Sequence, residues 1–291
     1  MGAVPPVLLT PIHHLRTSED VIIHFCTAAV AAFKSSPPYQ LATGIGAVLS
    51  DPKYDGKVVR TSAQAVVKVK RSLSIDEVAN RTYARCHASG PLRVPQVYRY
   101  FADDAGFQYL VMEYLPSQSL ADLDWSTLAL NKQQRLIRQV TAALAHLRTI
   151  PMPVLPRPRP GPVGGGKARG YLSDDKAVNE PVTARSHLER WINVRLGYRS
   201  IFLPKNHSIG ETRRSDFGNA PLVLCRTDLA RRNILVQPDG QLCLLGYHPP
   251  AFESYTLNER RERGPQYFGR LLEELNPSTK KQEQREWLLL A

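Results

Sequence analysis

From Val58 to Tyr114 the sequence runs strand, strand, helix, strand, strand. Val58-Val59, Ala65 to Val69, Val94 to Phe101 and Phe107 to Tyr114 are β-rich runs bounded by turn residues, and Ile75 to Cys86 has helical texture. Downstream, Leu130, Leu136, Ile137, Val140, Ala143, Leu144 and Leu147 recur at helical spacing and predict a long central helix. Prolines at 151, 153, 156, 158, 160 and 162 then forbid helix interior and central strand alike, so this stretch is a rigid connector. Helical patterning returns over His187 to Leu196. Short strands follow at Val223 to Cys225 and Ile234 to Val236, then a turn at Pro238-Asp239-Gly240 and a strand from Gln241 to Leu245. At the other end, Ser18-Glu19-Asp20 has the acidic character of a helix start and precedes the apolar run Val21 to Phe33.

With 291 residues, 43% of them hydrophobic and 22% charged, the chain can bury a substantial core as one bilobal domain or two small ones. Its net charge of +12 favours anionic ligands such as nucleotides, nucleic acid or lipid headgroups. The excess is scattered, and the short clusters at Arg213-Arg214, Arg231-Arg232 and Arg260-Arg261 lack interleaved aromatics, so a solvated basic surface is expected and nucleic acid is not an expected partner. Cys26, Cys86, Cys225 and Cys243 show no metal-ligand or redox spacing and read as reduced core thiols. The run from Val21 to Phe33 is too short for a membrane span, and no signal pattern precedes it, so a cytoplasmic protein is expected.

Two glycine-bearing motifs are misleading. Gly161 to Ala168 nearly spells a phosphate-cradling loop, but Ala168 offers no hydroxyl to magnesium and a proline-rich connector replaces the strand that should precede it. Asp216-Phe217-Gly218 spells a kinase metal triplet but lies upstream of Asp228, the wrong side of the catalytic loop described next.

Lys68 lies inside the apolar run Val66 to Val69, where an unpaired ammonium would be costly to desolvate; Glu77, nine residues later, is the expected counter-charge. Farther on, Leu222 to Val236 places Asp228 and Asn233 five residues apart between two apolar strands, followed by a turn and a third strand. That spacing suits a catalytic base and a metal-binding amide facing one transferring phosphate.

Together with Gly56 to Arg60 and the segment Val111 to Pro116, these residues resemble the aminoglycoside-phosphotransferase branch of the protein-kinase-like fold, fungal members in particular, from about Gly56 to about Phe252. The resemblance implies a bilobal α+β fold with a small antiparallel-sheet N-lobe and a mainly helical C-lobe. Residues 1–50 would be an N-terminal helical extension, 51–115 the N-lobe, and 116–291 the C-lobe, with a Pro/Gly-rich insert at about 150–176. It implies that ATP binds with Mg2+, that backbone near Glu113 to Leu115 reads the adenine edge, and that Lys68 and Glu77 grip the phosphates. Asp228 would receive an acceptor hydroxyl and Asn233 would hold metal.

The sequence departs from that pattern at two linked places. Gly246 stands where the family has its metal-holding aspartate, and Arg226 stands where it has histidine. Glycine supplies no oxygen to a hard cation, although Arg226 could meet phosphate bidentately in partial compensation. Tyr247 and His248 follow Gly246, and with Asp228 and Arg226 they could line a pocket for proton transfer on a small metabolite. The expectation is therefore a phosphotransferase-derived protein with impaired metal chemistry, either a small-molecule-binding pseudokinase or an enzyme that reuses the cleft; the alternative is an active ATP-dependent small-molecule kinase. A polycationic aminoglycoside suits a chain of charge +12 poorly as substrate.

Overall fold

The computed structural model describes residues 17–35, 44–50, 56–151 and 231–245, with isolated positions between 161 and 224. Four strands, β1 (Lys57–Arg60), β2 (Ala65–Lys70), β3 (Val97–Ala102) and β4 (Gln108–Glu113), form one antiparallel sheet in the order β1-β2-β4-β3. Between β2 and β3 lies α2 (Ile75–His87). A further segment before β1 was not legible in the sequence. Val48 bridges Val59, and Leu49 N–H donates to Val58 O at 2.7 Å, so residues 46–49 fold back on β1 as a hairpin.

Side-chain alternation gives the sheet two different faces. Val67 of β2 and Tyr109 and Val111 of β4 pack with Ile22, Phe25, Cys26 and Ala29 of α1 (Glu19–Ser35), so the N-terminal helix shares the core of the sheet. The opposite face carries Val66, Leu110 and Met112, which pack with Leu73 and Val78 of the α2 segment. Lys68 is two residues from Val66 and therefore projects on this second face, toward α2.

A second sheet, β5-β6-β7, is built from β5 (Gln118–Ser119), β6 (Ile234–Val236) and β7 (Leu242–Leu244). It packs on α3 (Leu130–Thr149), whose Leu136, Ile137, Val140, Ala143, Leu144 and Leu147 are buried at the expected helical positions. Leu130, expected on the same stripe, begins the helix and is 55% exposed. The β6–β7 turn closes through Gly240, whose φ of 82° lies in the left-handed region that favours glycine, with its N–H donating to Gln237 O at 2.8 Å. Ala84, Leu92 and Val94 belong to this same core, which fastens the C-terminal end of α2 to the lower lobe.

The expectation that all cysteines are core thiols fails at Cys86, which is exposed on α2; Cys26 and Cys243 are buried, and burial pushes the Cys26 thiol up to about 12. Among the described residues no helix is long and apolar enough to cross a membrane.

Candidate functional site

The site begins with the start of α2. Ser74 caps the helix, its hydroxyl accepting from Asp76 N–H at 3.1 Å, and Asp76 and Glu77 occupy the first turn at the positive end of the helix dipole. This fixes Glu77 beneath β2. Lys68 Nζ lies 2.8 Å from Glu77 Oε1 and 3.0 Å from Oε2, a two-oxygen contact that meets the need for a counter-charge read from the strand. The carboxylate is 1% exposed and the lysine side chain 17%, so the open side of the pair is the lysine. Arg81, one turn later on α2, reaches the same Glu77 Oε1 from within the protein at 3.3 Å. Sequence reasoning did not single it out, although its i,i+4 spacing from Glu77 was a usable signal.

The strand end that the resemblance identifies as the hinge has its inner backbone groups occupied. Glu113 N–H donates to Gln96 O and Tyr114 N–H to Gln64 O, both at 2.8 Å, which leaves the Leu115 amide without a partner among the described residues. Leu115 itself is buried, and its carbonyl accepts from Ser117 Oγ at 2.7 Å. The Glu113 carboxylate is committed elsewhere, since Arg93 Nη2 donates to Oε1 at 2.9 Å and Gln96 N–H to Oε2 at 3.1 Å. Beside the hinge, the Arg60 guanidinium lies 4.1 Å above the Tyr114 ring. Arg60 and Arg93 had no readable signal, because their partners are distant in sequence.

In the lower lobe Asn233 ends a short 3-10 turn, Arg231–Asn233, just before β6. Its carbonyl accepts from Leu245 N–H at 2.7 Å, so the β6–β7 pairing extends to Leu245 beside the Asn233 backbone. Arg226, Asp228, Gly246, Tyr247 and His248 lie outside the described residues, as do the decoy triplet Asp216 to Gly218 and the expected strand at 223–225 apart from the buried Leu224. If magnesium were held by Asn233 and position 246, as the resemblance implies, one neutral amide and a glycine would offer it far less anionic oxygen than a hard divalent cation requires. Among the described residues no group of three or more His, Cys, Asp or Glu could hold a metal ion.

The description "Phosphotransferase enzyme family" fits residues 54–257, well over half of the chain. The chain belongs to this phosphotransferase family. Solved structures agree at the level of fold. An APH(2″) aminoglycoside phosphotransferase in complex with GDP and kanamycin is 11% identical, with a TM-score of 0.51, covering 90% of this chain and 85% of its own. A point mutant of an aminoglycoside 2′-phosphotransferase, in its GDP complex, is also 11% identical, with a TM-score of 0.50 over 88% of this chain and 82% of that one. No curated protein matches the sequence. The kinase-like bilobal α+β architecture expected from the sequence is thus the architecture of this chain.

Proposed function

We propose that this phosphotransferase relative binds a purine nucleotide or a related phosphorylated small molecule in its interlobe cleft, with efficient magnesium-dependent transfer lost. It would act as a small-molecule-binding pseudokinase or turn the cleft to another reaction on a small metabolite. The reading rests on a contrast: Lys68 and Glu77, which the resemblance assigns to the phosphates, pair at 2.8 Å, while Gly246 stands where the resemblance has the metal-holding aspartate. A phosphate needs the first and efficient transfer needs the second as well. The Leu115 amide, without a partner among the described residues, supports a purine edge at the hinge, with Glu113 contributing backbone because its carboxylate is held by Arg93. Arg226, Asp228, Tyr247 and His248 are the groups proposed to face the second substrate. The GDP complexes of the similar structures favour a nucleotide as the first.

A second reading is favoured by the Asp228–Asn233 spacing together with the ordered turn at Asn233. In it, Asp228 accepts the proton of a substrate hydroxyl while that oxygen attacks the γ-phosphorus of ATP and ADP departs. One comparison separates the two. Binding of ATP, ADP and GTP is measured by calorimetry with and without magnesium, for the natural chain and for Gly246→Asp. The natural chain is expected to bind weakly and to change by less than about threefold with magnesium, whereas Gly246→Asp gains roughly tenfold or more in the presence of the metal. Tight, magnesium-dependent ATP binding with steady hydrolysis in the natural chain would establish the second reading instead.

A further inference from the structure

Arg81 is 1% exposed, yet it lies on α2, the helix that carries Glu77. Its Nη2 is 3.3 Å from Glu77 Oε1, the oxygen that also accepts from Lys68 Nζ at 2.8 Å. Nε and Nη1 have no hydrogen-bond partner among the described residues. One carboxylate thus serves two cations. By themselves these three groups sum to one positive charge, and the buried Asp76 carboxylate, hydrogen-bonded to Ser74, lies in the same first turn of α2. Among these three side chains the open side is that of Lys68, 17% exposed, whereas Glu77 and Arg81 are sealed.

We infer that Arg81 is a positioning residue of the phosphate site, which holds Glu77 from behind and leaves Lys68 with positive charge for an incoming phosphate. The inference rests on the nucleotide reading of the cleft. Arg81 does not touch the ligand; it acts through the shared carboxylate. Held by two cations, Glu77 stays turned toward β2 whether or not a ligand is bound, so the grip is assembled in advance.

The test compares ATP with adenosine, which differ in the phosphates alone. Dissociation constants for both are measured on the full chain carrying Arg81→Met, Arg81→Gln or Arg81→Lys. Arg81→Met and Arg81→Gln should lower the preference for ATP over adenosine by roughly tenfold while adenosine affinity holds. Arg81→Lys, which keeps a cation, should stay within about threefold of the natural chain. If Arg81→Met does not fold, Arg81→Gln and Arg81→Lys decide the matter. A parallel loss of both ligands would mean that Arg81 only supports the fold, and an unchanged preference, or a loss in Arg81→Lys equal to that in Arg81→Gln, would equally overturn the inference. Failure of the natural chain to bind ATP would remove the nucleotide reading along with it.

Discussion

At the scale of single residues, the structure makes Glu77 indispensable in a way that Lys68 is not. Replacing Glu77 by alanine leaves the sealed guanidinium of Arg81 and the ammonium of Lys68 facing one another without their shared carboxylate. The expected loss is about 3–5 kcal/mol, the range for breaking a buried ion pair from one side. Lys68→Met leaves Glu77 paired with Arg81 and should cost about 1 kcal/mol or less, because methionine fills the stem of the lysine on an apolar strand. Denaturant unfolding of the two variants checks this. Equal losses would mean that Arg81 does not draw on Glu77 in solution. The pairing of Lys68 with Glu77 was legible from one charged residue in an apolar run, whereas the second cation was not singled out, because an arginine on a helix is ordinarily a solvated one.

At the scale of elements, α2 is held on three sides. Its N-terminal face packs under the sheet, Ala84 near its C-terminal end joins the core of the lower lobe, and a third face meets the proline-glycine insert. On that face Tyr83 OH donates to Pro151 O, Val163 N–H donates to Asn80 Oδ1 at 2.7 Å, and the α-carbon of Gly166 abuts the Asp76 carboxylate. Asp76, Asn80 and Tyr83 stand at i, i+4 and i+7, a single stripe. Val163 and Gly166, within the glycine-rich stretch that resembles a phosphate loop, thus pack against the helix that carries Glu77. A Cβ at Gly166 would collide with the Asp76 carboxyl group. Gly166→Ala should therefore destabilise by about 1–3 kcal/mol, the cost of overpacking. In a double-mutant cycle Asp76→Ala should recover part of that loss, so that the pair together costs less than the sum of the single changes. Strict additivity would show that the insert does not rest on α2.

At the scale of the whole molecule, Arg93 ties the two lobes. Its Nη2 holds Glu113 at the end of β4 at 2.9 Å, its Nη1 reaches Gln237 beyond β6 at 3.3 Å, and its carbonyl accepts from Leu244 N–H of β7 at 3.3 Å. The side chains of the Arg93–Glu113 pair are 33% and 21% exposed, so its energetic share is modest. Arg93→Met should cost about 1 kcal/mol and raise amide exchange along residues 242–244 more than within α3. Hydrogen exchange read by mass spectrometry checks the difference. Uniform exchange in both segments would show that the tie is not specific to the lobe junction.

The sequence by itself determined the kinds and order of these elements: the sheet strands with one helix among them, the long α3, the β6–β7 hairpin, and the lysine that demanded a carboxylate. Those features depend on periodicity, turn chemistry and the cost of burying one charge, all properties of neighbouring residues. Tertiary structure alone decided that α1 covers the back of the sheet, that residues 46–49 pair with β1, and that Arg81 is sealed against Glu77. It alone brought Arg93 to partners 20 and 144 residues away. The physical reason is common to all of them. Which face a helix buries, and which distant group satisfies a buried donor, is settled when the elements pack and water is excluded, and no local pattern encodes that meeting.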